Sequence, residues 1–225
     1  ENATVLIGST NIVSNFTYDF KAWTSNPNGN NDCDNYNDTT VLLNLSTPLC
    51  GTYTIGGQNS DFDNFTDAVF ALNNGGISCP VVFNVRTGFY DEQIKLFKIT
   101  GSSSLNTITF QSENADTSNT QLKYQAPNQI YDFTIQLSGS ENILFKNLGI
   151  KRLNGTGDIL IDGASKNILF ENCSIGNFNC PENSNNDNIR LIGNNFNASD
   201  LKINNCSNVI VNNNRIRRSL FFRSN

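Results

Sequence analysis

The stretch Asn142-Ile143-Leu144-Phe145-Lys146-Asn147-Leu148-Gly149-Ile150 has three downstream copies. They are Asn167-Ile168-Leu169-Phe170-Glu171-Asn172-Cys173-Ser174-Ile175, Asn188-Ile189-Arg190-Leu191-Ile192-Gly193-Asn194-Asn195-Phe196 and Asn208-Val209-Ile210-Val211-Asn212-Asn213-Asn214-Arg215-Ile216. Each opens on Asn and carries an apolar residue at its second, fourth and ninth places. The sixth place is Asn147, Asn172 and Asn213, with Gly193 in the third copy. Successive copies start about 20–25 residues apart, the period of a solenoid. Alternating apolar residues such as Ile143 and Phe145 mark short strands with one buried face. With no helix between copies, the fold class is all-β, a parallel β-helix whose rungs rise by about 4.8 Å. The sixth-place Asn residues Asn147, Asn172 and Asn213 then form a ladder. Asn tolerates the left-handed turn and can hydrogen-bond to its equivalent on the next rung.

Further strands precede the copies at Phe133-Thr134-Ile135-Gln136-Leu137, Ile159-Leu160-Ile161 and Leu201-Lys202-Ile203. These predict two strands and a turn per rung. A flat antiparallel meander is the alternative, but it has no reason to keep Asn at a fixed rung position.

Composition agrees. The 225 residues include about 40 Asn, and only 16% are charged. Turn-rich β proteins use Asn, whereas helices disfavour it. The net charge of −5 and pI near 4.7 argue against nucleic acid as a partner. No long apolar run is present, so no membrane insertion is expected. With no Met in the chain, Glu1 reads as a processed terminus or the start of a fragment. Acids dominate up to Cys79, and bases dominate from Arg190 onward, among them Lys202, Arg215, Arg217 and Arg218. This reads as drift in surface composition, or as a head and tail suited to end-to-end association.

Six cysteines and low charge suit a secreted chain. The disulfide candidates are Cys50 with Cys79 and Cys173 with Cys180, leaving Cys33 and Cys206 over. Residues 1–48 carry strands at Thr4-Val5-Leu6-Ile7, Phe16 to Trp23 and Thr40 to Leu45, separated by polar turns. Asp32, Asp34 and Asp38 in one loop are weak calcium candidates, since hard cations want several oxygens. No other cofactor is expected. Asn154 is the preferred glycosylation candidate among nine Asn-x-Ser/Thr sequons, because Leu153-Asn154-Gly155-Thr156-Gly157 reads as a turn.

A helix is predicted at about residues 63–74, with Asp63 or Asn64 as its N-cap, Gly75 at its end, and Phe65, Val69 and Leu72 on one face. It is followed by Pro80-Val81-Val82-Phe83-Asn84-Val85, by Gly88-Phe89-Tyr90-Asp91-Glu92-Gln93-Ile94 and by Asn106-Thr107-Ile108-Thr109-Phe110. This succession resembles the N-terminal cap and first rungs of the pectin-lyase-like right-handed parallel β-helix superfamily. More narrowly, Gly51 through Phe110 resembles a module of large secreted surface proteins of Bacteroidota, which follows an immunoglobulin-like or CARDB-like domain. Ala22-Trp23-Thr24-Ser25-Asn26-Pro27-Asn28-Gly29 with Asn37-Asp38-Thr39 is similar to the last strands of such a domain. The resemblance implies a partial β-sandwich over 1–48 and a β-helix over 49–225. The helix at its start covers the apolar cross-section of the solenoid. Leu220-Phe221-Phe222-Arg223 reads as another opening strand, so more chain or a stacked subunit is expected beyond 225.

Enzymes of that superfamily act on polysaccharides. Hydrolysis would need two carboxylates at a defined separation. The resemblance implies that a lyase would use a basic residue with calcium. Asp158, Asp162, Lys166, Glu171, Asp187 and Arg190 are the candidates in the repeat region, and none forms a recognised motif. The function expected from sequence is therefore a non-enzymatic extracellular module. It would be a rigid stalk or adhesive surface fibre, self-associating by end-to-end stacking or binding a glycan. The alternative is a polysaccharide-acting enzyme, lyase or hydrolase, or its carbohydrate-binding part. A phage-like fibre is a third class.

Overall fold

A computed structural model describes residues 8–9, 17–24, 38–125, 133–153, 158–197, 201–217 and 220–223. Strands β1 (Thr17–Trp23) and β2 (Thr39–Ser46) pair antiparallel as a ribbon, Lys21 opposite Val41. The expected strand at Thr4–Ile7 lies outside the described residues, as do Asp32, Asp34, Cys33 and Asn154. β3 (Leu49–Ile55) then leads to helix α1 (Phe65–Gly75).

The solenoid follows, each coil made of three strands. The first coil is β4 (Ile77–Val85), β5 (Gly88–Asp91) and β6 (Ile94–Leu96). The second is β7 (Ile108–Ser112), β8 (Thr120–Tyr124) and β9 (Ile135–Ser138). The third is β10 (Glu141–Lys146), β11 (Gly149–Arg152) and β12 (Ile159–Asp162). The fourth is β13 (Lys166–Glu171), β14 (Ser174–Ile175) and β15 (Phe178–Cys180). The fifth is β16 (Asn186–Ile192), β17 (Asn195–Phe196) and β18 (Leu201–Asn204). The sixth is β19 (Cys206–Ser207) with β20 (Ile210–Asn212), then β21 (Arg215–Ile216) and β22 (Leu220–Arg223). Every coil-to-coil pairing is parallel, and like strands stack into three sheets. The fold is a right-handed parallel β-helix. The expectation of two strands per coil is corrected to three. The second-sheet strands, such as Ser174–Ile175, are too short for alternation to show in sequence.

The repeat explains the packing. Second- and fourth-place residues point inward from the first sheet, and ninth-place residues point inward from the second. Phe83, Phe110, Phe145 and Phe170 form one column, with successive centroids 4.7, 5.3 and 4.9 Å apart and planes 16°, 9° and 9° from parallel. Leu191 and Val211 continue the column in register. The sixth-place residues turn the chain from the first sheet to the second. Asn147, Asn172 and Asn213 hold φ of 54°, 52° and 54°, and Gly193 holds 67°. Asn occupies this left-handed region more readily than other residues with a Cβ.

A second set of left-handed Asn residues opens each copy: Asn142, Asn167, Asn188 and Asn208, at φ 60°, 55°, 51° and 51°. The side-chain amide ladder runs here. Asn167 Nδ2 donates to Asn142 Oδ1, and Asn188 Nδ2 to Asn167 Oδ1, both at 2.9 Å. Inside the coil, Asn194 and Asn186 are each 1% exposed and fully engaged. Asn194 donates to Phe170 O and accepts from Cys173 N. Such buried amides are tolerated because each replaces hydrogen bonds that the turn would otherwise leave open.

Helix α1 covers one end of the core with Phe65, Ala68, Val69 and Leu72. Asn64 is its N-cap, accepting from Asp67 N at 2.8 Å. Glu92 accepts from Phe65 N and Thr66 N at 3.1 and 2.7 Å, placing negative charge at the positive end of the helix. The C-cap is Gly76 (φ 69°), one residue beyond the predicted glycine. A Cβ there would meet Thr100 O at 2.5 Å.

A disulfide joins Cys50 to Cys79, bridging β3 and β4. The expected Cys173–Cys180 pair is not formed, and both are free, buried thiols. Cys173 sits at the corner between first and second sheets, its thiol facing Phe145 O and Glu171 O at 3.5 and 3.4 Å. Cys180 ends a third-sheet strand, so the short loop suggested by sequence spacing does not bring the sulfurs together. Among the described residues no helix is long and apolar enough to cross a membrane.

Candidate functional site

The outer face of the first sheet carries the longest run of stacked functional side chains. Because strands alternate, residues two apart share this face. Register aligns Thr109, Leu144, Leu169, Arg190 and Ile210 in one outward row. Beside it run Asn84, Gln111, Lys146, Glu171 and Ile192. Toward the start of the strands lie the Asn142–Asn167–Asn188 ladder and the row Glu141, Lys166, Asp187 and Ser207. A shallow groove of about 290 Å³ crosses these coils, lined by Ser104, Thr107, Asn142, Leu144, Asn167, Leu169, Asn188 and Arg190.

Its electrostatics are locally balanced. Lys146 pairs with Glu171 at 3.0 Å and Lys98 with Glu141 at 3.2 Å. Gln111 Nε2 donates to Asn84 Oδ1 at 2.9 Å. Asp187 accepts from Ser207 Oγ and Asn208 Nδ2, each at 2.7 Å. These hydrogen bonds, with Lys166 alongside, hold its carboxyl below the usual range. Asp187 is therefore an ionised acceptor at neutral pH, unsuited to donating a proton.

Of the six charged residues singled out from sequence, the fold brings Lys166, Glu171, Asp187 and Arg190 to this face. Asp158 and Asp162 lie elsewhere. Asp158, 2% exposed, accepts from the backbone N–H of Arg152 and of Asn177 at a corner between second and third sheets. Burial raises its pKa to about 6, against those two hydrogen bonds and the Arg152 charge. A raised carboxyl suits acid–base chemistry only where substrate can reach it. This one is enclosed, and Gly176 packs so closely that a Cβ there would clash with Asp158 Oδ2. Asp162 accepts from Gln136 Nε2 at 2.7 Å on the third sheet.

The carboxylates of the groove are poorly placed for glycoside hydrolysis. Asp187 is level with Lys166, five positions along β13 from Glu171; that is about 16 Å along a strand. Glu141 and Asp187 are two rungs apart, about 10 Å, at the upper limit for a hydrolytic pair, and the cation Lys166 stands between them. Hydrolytic pairs stand about 5–9.5 Å apart. What the face offers is recognition: regularly spaced amides, an apolar strip and charged edges. Within the ladder Asn167 both donates and accepts, whereas Asn142 only accepts and Asn188 only donates, so the outer amides keep hydrogen-bonding capacity that the ladder does not use.

A larger hollow of about 610 Å³ beside β1–β2 is lined by Lys21, Trp23, Asp38 and their neighbours, without stacked repetition. Asp38, the described member of the calcium trio, accepts from Thr24 Oγ1 at 3.2 Å. Among the described residues no cluster of His, Cys, Asp and Glu side chains could hold a metal ion. The amide ladder at the first place was missed in the sequence, although each copy opens on Asn. The ladder was expected instead at the sixth place, Asn147, Asn172 and Asn213, where Gly193 of the third copy supplies no amide to continue it.

No family model matches the sequence, and no curated protein matches it. Two solved structures resemble it, both of the pectin methylesterase from Aspergillus niger. The deglycosylated form is 13% identical with a TM-score of 0.43, covering 67% of this chain and 58% of that one. The penultimately deglycosylated form is 12% identical with a TM-score of 0.38, covering 80% of this chain and 87% of that one. The expectation of a non-enzymatic stalk or adhesive fibre is corrected here. The structures that resemble this chain are of an enzyme, not of a stalk or fibre.

Proposed function

We propose that the chain is the carbohydrate-binding part of a polysaccharide-acting protein and holds a linear glycan lengthwise in the groove of the first sheet. The observation that carries this reading is the Asn142–Asn167–Asn188 ladder running beside the Leu144–Leu169–Arg190 row. A polymer of similar units needs similar contacts at regular intervals, and successive rungs supply them about every 4.8 Å. Amides serve hydroxyl groups as donor and acceptor at once, and the leucines suit the apolar faces of sugar rings. Secretion belongs to the same reading, and the Cys50–Cys79 disulfide supports it.

The test is calorimetric titration of the full chain against a panel of neutral and acidic linear polysaccharides. Saturable binding to at least one, weakened tenfold or more by Arg190→Ala and by Leu169→Asp with the unfolding midpoint of Arg190→Ala unchanged, is the expected result. Absence of binding across the panel, or binding indifferent to both substitutions, would overturn the reading.

A further inference from the structure

The corner between the third and first sheets follows a strict rule. The residue that opens each of the third, fourth and fifth coils reaches inward to the strand end two coils back. Ser140 Oγ donates to Leu96 O at 2.8 Å, Ser165 Oγ to Leu137 O at 3.1 Å, and Asn186 Nδ2 to Ile161 O at 2.8 Å. Leu96, Leu137 and Ile161 occupy one inward column of the third sheet, and Cys180 with Ile203 continues it. Cys206 lies in register with Asn186 and opens the sixth coil. The next pair in the series is therefore Cys206 with Cys180.

We propose that Cys180 and Cys206 are a dithiol–disulfide couple that fastens the fourth coil to the sixth. Both are free thiols in this structure. Cys180 is fully buried, whereas Cys206 is half-buried, and Asn186 Nδ2 approaches its sulfur at 3.9 Å. The Cys206 thiol donates to Asn204 O at 3.3 Å; the neighbouring Cys180 thiol lowers the pKa of Cys206, whereas Cys206 and burial raise that of Cys180. This division suits an attacking thiol at the surface and a resolving thiol beneath it. Cys173 makes the contrast: burial pushes its pKa up to about 12, and its thiol faces Phe145 O and Glu171 O.

The oxidant is a low-molecular-weight disulfide, RSSR. The Cys206 thiolate attacks one sulfur of RSSR, forming a mixed disulfide and releasing RS⁻. Cys180 then loses its proton, and its sulfur attacks Cys206 Sγ. The Cys180–Cys206 bond forms and a second RS⁻ departs. Two electrons pass from the protein to RSSR, which leaves as two RSH.

The experiment treats the folded full chain with oxidised glutathione, blocks remaining thiols with N-ethylmaleimide after denaturation, and maps the peptides. The expected result is a Cys180–Cys206 cross-linked peptide, with Cys173 recovered as its maleimide adduct. In Cys180→Ala, Cys206 should stop at the glutathione mixed disulfide. Recovery of both Cys180 and Cys206 as maleimide adducts, or pairing of Cys206 with Cys33, would overturn the proposal. The mapping of the unsubstituted chain decides the matter even if the variant fails to fold.

Discussion

The rings of Phe145 and Phe170 lie one above the other, with centroids 4.9 Å apart and planes 9° from parallel. Both occupy the fourth place of the repeat, and parallel pairing sets them directly opposite. Each is fully buried, so neither can be replaced by solvent or by a neighbour. Phe145→Ala should lose about 3–5 kcal/mol of stability, the usual penalty for an aromatic cavity. Urea denaturation followed by circular dichroism measures it. A loss below 1 kcal/mol would mean that the column is not packed as described.

Asn167 combines left-handed backbone with the centre of the amide ladder. Asn167→Ala removes both features and should lose about 2–3 kcal/mol, from backbone strain and two hydrogen bonds. Asn167→Gly keeps the backbone at ease and should lose less than half as much. Thermal unfolding of the two variants separates the contributions. Equal losses would mean that φ does not matter at this corner.

Asp158 gives the chain an acid-side pH dependence. Its pKa of about 6 in the fold stands above the ordinary 3.8, mainly through burial. The folded state thus holds its proton where the unfolded state has released it. Stability from this group is fully present below about pH 4 and is lost as the pH rises through 6. The total is about 3 kcal/mol at most, for a shift of roughly two pH units. Denaturant midpoints between pH 4 and pH 7 should fall in the parent chain. In Asp158→Asn the part of that slope due to this group should vanish. An unchanged slope in the variant would assign the dependence to other groups.

The Cys50–Cys79 disulfide spans a sequence separation of 29 and encloses the whole capping helix. Replacing both with Ser should lose roughly 3–4 kcal/mol by release of loop-closure entropy in the unfolded chain. Guanidinium unfolding of the variant, compared with the parent under non-reducing conditions, tests this. Identical midpoints would show that the helix end stays closed without the bond.

The elements most legible in the sequence were those with local signatures. Asn64 before an apolar face of Phe65, Val69 and Leu72 marked the helix to within a residue or two. Asn or Gly at the sixth place marked the turn between two sheets, because only such residues take positive φ without strain. The second-sheet strand was not legible, since in the later coils two residues such as Asn195–Phe196 show no period. Nor was the gathering of Lys166, Glu171, Asp187 and Arg190 on one face while Asp158 and Asp162 went elsewhere. Charged residues carry no mark of the sheet on which they fall.

By itself, the amino-acid sequence determined the repeat, the inward apolar positions and the left-handed corners, because burial alternation and backbone preference act over a few residues. The tertiary structure alone decided the cross-coil relationships: the Asn142–Asn167–Asn188 ladder, the apposition of Cys180 and Cys206, and the isolation of Cys173 from Cys180. These depend on the summed length of each coil. Ladder neighbours are separated by 25 residues in one coil and 21 in the next. The corners absorb that difference so that parallel hydrogen bonding can hold the register, and the stacked coils then bring distant side chains into contact.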